Sequence, residues 1–192
     1  MNAFHAALVA LALPATLVAQ QPASGPPPVN PITASFKGRL MGLHRNLAQA
    51  FDSIPESKFS YKPTPAQLTI GYIAQHLASD NTFFCNLFGD LKAPLAAEDT
   101  TTADSVKAGW SKEKLVTKLK ASFTFCESAF EQLTDAKLAD QVTMTFRGQS
   151  RTITRSSMVL GHALDMADHY SQLANYMRLN NMLPPTALPR PQ

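Results

Sequence analysis

Four stretches of this chain repeat apolar residues at alternating steps of three and four, a period that a helix with one buried face satisfies and a strand does not. The first, "TASFKGRLMGLHRNLAQAFDSIP", puts Phe36, Leu40, Leu43, Leu47, Phe51 and Ile54 on one face and meets Pro55. The second runs from Thr69 with Ile70, Ile73, Leu77, Phe84, Leu87 and Phe88 inward and Gly89 as its stop. The third, "SKEKLVTKLKASFTFCESAFEQL", turns Leu115, Leu119, Phe123, Cys126, Phe130 and Leu133 inward. The fourth begins near Ser156 or Ser157, either a competent cap, and ends about Asn180 or Asn181 before Pro184 and Pro185. Four such faces have only each other to bury against, and the fold expected is an all-α four-helix bundle.

Between these helices the pattern breaks. "ESKFSYKPTPAQ" is a polar connection, and "LKAPLAAEDTTTADSVKAGW" a long loop with room for a helical turn at Asp104 to Lys107. "QVTMTFRGQSRTITR" alternates about Arg147 and Gly148, the mark of a short two-stranded hairpin just before the last helix. No internal repeat is visible.

At the front, "MNAFHAALVALALPATLVAQ" has no acidic or basic side chain and an apolar run from Ala6 to Val18 ending at Ala19. Residues 1–19 read as a secretory signal peptide, so the mature chain is expected to be exported, to a periplasm or the extracellular space. A membrane anchor is the rival reading, but the run is broken by Pro14 and is shorter than the roughly 20 residues a span requires. After cleavage no membrane span is expected. Residues 20–32 are a Pro-rich lead of the kind that stays disordered, 33–186 the folded domain, and 187–192 a flexible tail. The formal charge of +3 is small and the Lys and Arg residues are scattered, which argues against a nucleic-acid partner. Cys85 and Cys126 are the only cysteines. In an oxidising compartment they can form a disulfide, and two buried reduced thiols are the equal alternative.

The fourth helix breaks its own pattern. At roughly 100° per residue, His162, Asp165 and His169 share the stripe of Met158, Met166, Leu173 and Tyr176. Three polar groups on a buried face are costly unless paired. One reading is an ordinary buried hydrogen-bond network, with Asp165 partnering a histidine. The other is a metal site: Asp165 and His169 project from successive turns toward one point, and His76, midway along the inward stripe of the second helix beside Asp80, supplies a third donor. Two imidazoles and a carboxylate leave coordination positions open, as catalytic sites do. No HExxH, Gly-rich phosphate loop or GxSxG elbow is present.

On these residues the chain resembles the DinB-like proteins, small bacterial four-helix bundles related to metal-dependent hydrolases and thiol-dependent transferases. The resemblance spans about 33–186 and rests on "PTPAQLTIGYIAQHLASDNTFFC" and "DMADHYSQLANYMRLNNMLPP". It places His76 as the first metal ligand, His169 as the last and Gln172 as the Gln that follows. The family's middle histidine falls on Asp165, which shifts the expected ion toward Mn or Fe and away from Zn or Ni. His162, one turn earlier, is the reserve ligand or a hydrogen-bond partner to Asp165. Gln172, Tyr176 and Arg155 are candidates to orient ligands or substrate. His44 and Trp110 read as packing residues.

Three functions stay open. The chain is an exported protein binding one divalent metal and acting on a small molecule, by metal-activated water or by thiol-dependent transfer; or a non-catalytic, stress-related bundle with a vestigial site; or a structural protein, dimeric through its bundle faces, with a plain His–Asp network.

Overall fold

A computed structural model describes residues 29–146 and 148–189. The signal peptide expected over 1–19, most of the lead and the end of the tail lie outside the described residues. The elements are α1 (Pro31–Ser53), α2 (Ile70–Gly89), the short α3 (Ala97–Thr101) and α4 (Asp104–Lys107), α5 (Lys112–Glu131), strands β1 (Gln141–Phe146) and β2 (Gln149–Thr154), and α6 (Arg155–Leu179). The four long helices are the ones the apolar period predicts, and the hairpin stands before the last of them.

Each terminus has a local cause. α1 starts at Pro31, inside the segment expected to be unstructured, because proline suits the first helical position and Asp135 caps the end from across the molecule. Its carboxylate accepts from Thr33 N at 2.7 Å and Ile32 N at 3.1 Å. Thr69 and Ser111 cap α2 and α5 with their hydroxyls. α6 is capped two or three residues earlier than Ser156 or Ser157 predict, because the Thr154 hydroxyl is the cap and accepts from Ser157 N. α2 does end at Gly89, but Asp90, at φ 54°, takes the left-handed position that closes the helix. Gly89 is required for another reason: a Cβ there would stand 2.4 Å from Ala129 Cβ, so its lack of a side chain lets α2 and α5 touch. α3 has no apolar period to announce it.

α2 packs on α5 and α6, and α1 packs on the same two, so the order round the bundle is α1, α5, α2, α6. The core between them is lined by Leu40, Leu47, Phe51, Ile73, Leu77, Phe88, Leu119, Phe130, Met166 and Leu173, all nearly or wholly buried. Cys85 and Cys126 are joined as a disulfide between α2 and α5, Cα atoms 5.2 Å apart. The hairpin pairs Gln141 with Thr154 through to Phe146 with Gln149, turns through Gly148 at φ 75°, and presses Val142 and Met144 inward. Among the described residues no helix is long and apolar enough to cross a membrane.

Candidate metal centre

The α2–α6 seam carries the polar cluster. His76 is in the middle of α2 and Asp165 and His169 are four residues apart on α6, so the three side chains meet where the two helices face each other. One donor atom from each lies within 4.8 Å of the others. His169 Nε2 is 3.5 Å from Asp165 Oδ1, His76 Nε2 is 3.9 Å from the same oxygen, and the two imidazole rings stand edge to face at 4.7 Å.

A fourth group belongs to this cluster. Asp80, one turn beyond His76, brings Oδ2 to 3.5 Å from His76 Nε2. Burial is the main cause that raises its carboxyl to about 6; His76 opposes that rise and the Asp165 charge adds to it. Asp80 lies on the inward stripe of α2 and four residues from His76, the same i, i+4 spacing that singled out Asp165 and His169. That spacing was the signal that could have promoted it.

The ring of His169 is oriented from behind. Its Nδ1 donates to Gln172 Oε1 at 3.2 Å, and Gln172 Nε2 donates to the Tyr176 hydroxyl at 3.1 Å. Tyr176 is itself buried, edge-on to Tyr61. With the proton held on Nδ1, the Nε2 lone pair points at the Asp165 carboxylate. A lone pair against an anion is repulsive, so a cation has to stand between them or Nε2 has to carry a second proton. Burial lowers the His169 basicity while the hydrogen bond and charge of Asp165 raise it, with a net upward shift. The other oxygen, Asp165 Oδ2, is buried with no hydrogen-bond partner.

A model of the DinB superfamily matches residues 40–173. The chain belongs to the DinB superfamily. Among solved structures, this DinB-superfamily chain is similar to a DinB-like protein from Bacillus cereus ATCC 10987, at 18% identity and a TM-score of 0.61 over 79% of this chain and 95% of that one. It is also similar to a conserved protein from Enterococcus faecalis, at 17% identity and a TM-score of 0.57 over 77% and 96%. At that identity the likeness speaks for the fold. No curated protein matches the chain.

The donor set fits a divalent ion. Ligand atoms about 2.0–2.2 Å from one ion stand about 3 to 4 Å apart, close to the separations found here, and imidazole with carboxylate is a hard-to-intermediate set. The orphaned Asp165 Oδ2 lacks a partner that a cation would provide, and the Gln172 contact to Nδ1 turns His169 Nε2 toward the same carboxylate.

The remaining candidates of this superfamily member are placed elsewhere. His162 is fully buried next to the disulfide, where Nε2 donates to Asn81 Oδ1 at 2.7 Å; Asn81 Nδ2 in turn donates to Ser122 Oγ, and Ser122 to Leu119 O. It ties α6 to α2 and α5 and does not join the cluster of His76, Asp165 and His169. Cys85, Cys126 and His162 form a second compact group, but sulfurs bonded to each other leave no thiolate to ligate. Arg155 is also not at the site. It is 14 residues before His169, roughly 21 Å along the helix, where it donates to Phe88 O at 2.8 Å and pairs with Asp90 at 2.9 Å. His44 is 3% exposed, stacked on Phe123 at 4.2 Å. Trp110 lies under the Lys114 ammonium at 3.7 Å.

Proposed function

We propose that this DinB-superfamily protein binds one divalent cation through His76 Nε2, Asp165 Oδ1 and His169 Nε2, with Asp80 supplying a second carboxylate beside His76, and acts on a small molecule at that centre. The observation that carries the reading is the convergence of one donor atom each from His76, Asp165 and His169 within 4.8 Å, with Asp165 Oδ2 buried there and left without a hydrogen-bond partner. When bound, a divalent ion would supply Lewis acidity, lowering the pKa of a coordinated water or thiol and polarising an electrophile.

The protein's own residues divide the rest of the work. His76 and His169 leave coordination positions open because only three or four side chains converge. Gln172 and Tyr176 hold the His169 ring, and the two carboxylates favour Mn or Fe over Zn or Ni. Hydrolysis through activated water is the simplest chemistry for such a site, and thiol-dependent transfer is the second form of the same reading. Export is part of the proposal. The apolar leader of residues 1–19 supports it, and the buried Cys85–Cys126 bridge is of the kind an oxidising compartment sustains.

A rival reading keeps His169 doubly protonated and paired with Asp165, a structural ion pair with no metal. Thermal unfolding in EDTA and then in Mn, Fe, Zn and Ni separates the two. Metal binding predicts a rise of about 2.7 kcal/mol at a hundredfold excess over Kd, absent in His76→Ala. An unchanged melting temperature with all four ions would leave the ion pair as the better account.

A further inference from the structure

Gln75 is the neighbour of His76 on α2, roughly 100° round the helix from it, on a side shared with α5 residues. It lies in the floor of a cleft of about 590 Å³ between α2, α5 and the loop that carries α3 and α4. The cleft is walled mainly by apolar groups, among them Ala78, Leu95, Trp110, Leu115 and Phe125. Gln75 is 3% exposed, and neither its Nε2 nor its Oε1 has a hydrogen-bond partner. A buried primary amide with both ends unpaired is rare and costly, which marks a group held ready for something that is not part of the chain.

The charged groups around the cleft, and the Thr82 and Ser122 hydroxyls, are already engaged. Lys118 pairs with Asp99 at 2.6 Å and Glu98 at 3.0 Å, Lys107 with Asp104 at 3.2 Å, Thr82 donates to Ala78 O, and Ser122 is part of the Asn81 chain. No uncompensated charge is left to attract an ion.

We infer that this cleft is a second ligand site, distinct from the metal centre, which takes an uncharged, largely apolar small molecule presenting a carboxamide-type edge, one donor beside one acceptor, to the Gln75 amide. The two amides pair edge to edge, each giving one hydrogen and accepting one. The terminal torsion of glutamine is broad, so the amide can turn to meet the incoming group. The apolar walls bury the body of the ligand, and the pre-paired lysines disfavour a carboxylate, which would have to break an existing ion pair to be neutralised.

Trp110 is the only tryptophan of the chain and lines this cleft, so its fluorescence reports occupancy directly. The full-length protein is titrated with 4-butylbenzamide, with butylbenzene and with 4-butylbenzoate at pH 8. The expected result is saturable quenching or shift by the benzamide, weakened about tenfold or more in Gln75→Met, with butylbenzene held no less tightly by the variant. Ala121→Phe, which fills the cleft from its α5 wall and leaves Gln75 in place, should exclude both neutral probes. The inference is overturned by no saturable change with the benzamide, by equal affinity of wild type and Gln75→Met, by tighter binding of the benzoate, or by undiminished binding to Ala121→Phe.

Discussion

His44→Phe should make the protein markedly more resistant to acid, and the size of the gain follows from the burial of one imidazole. Both ring nitrogens of His44 are buried without a partner, and the ring is stacked on Phe123. Burial, with a smaller contribution from nearby His162, pushes its pKa from the ordinary 6.5 down to about 3. The folded protein therefore holds His44 neutral while the unfolded chain takes up a proton below pH 6.5. Stability contributed by this group is present above pH 6.5 and is lost as pH falls toward about 3, at about 1.4 kcal/mol per pH unit.

Between pH 7 and pH 4.5 the loss from His44 alone is about 2.5 kcal/mol. His162, lowered by burial to about 4 against the pull of Asp165, adds a similar loss. Asp80 works in the opposite sense: with its pKa raised to about 6, the folded state binds the extra proton, and stability is gained as pH falls from about 6 toward the unfolded value. The net acid profile of the wild type mixes these terms, so the difference between variant and wild type is the useful quantity. Urea unfolding of both proteins in EDTA should show His44→Phe gaining about 2.5 kcal/mol relative to wild type on going from pH 7 to 4.5. An advantage equal at the two pH values within about 0.5 kcal/mol would refute the claim that the fold holds His44 neutral.

Other expected outcomes address the remaining parts of the structure. Reducing Cys85–Cys126, or replacing both by Ala, should cost about 4 kcal/mol in urea unfolding, the loop-closure value for a separation of 41 residues. Gly89→Ala should lower stability by about 1–3 kcal/mol, because its methyl group would force α2 away from Ala129 of α5; an unchanged midpoint would contradict the close contact. Gln172→Leu should weaken metal affinity about 10- to 100-fold without unfolding the protein, as isothermal titration would measure, because it frees the His169 ring; unaltered affinity would mean the ring is held by packing alone.

Much of the fold was legible because each long helix repeats its apolar residues at the helical period, and most of the positions so marked, from Leu40 to Leu173, are found in the core, with Phe36, Leu43, Phe84 and Leu87 half-buried at its margin. The hairpin was visible in the change of period about Gly148. The boundaries were less so: the cap of α6 is Thr154, one of several hydroxyls in a row, and the cap of α1 is Asp135, about a hundred residues away in the chain. The site was half legible. His76, Asp165 and His169 stood out as polar residues on apolar stripes, and they do come together. Whether His162 would join them depended on which partner it met across the bundle, and that is set by the placement of Asn81 on α2. The same is true of Arg155, which a helical wheel puts near the ligands and the length of α6 carries away from them. Gln75 gave no signal at all, since a lone glutamine beside Ala74 and His76 on a helix is unremarkable until its partners are counted.

The central claim is that His76, Asp165 and His169 hold a metal ion. Elemental analysis of protein purified without a histidine tag tests it most directly, on wild type, His76→Ala and His169→Ala prepared side by side. The account predicts about one divalent ion per wild-type chain, Mn or Fe ahead of Zn or Ni, and loss of that ion in both variants. Metal-free wild-type protein that takes up none of the four ions on dialysis, or variants that retain metal at the wild-type level, would contradict it.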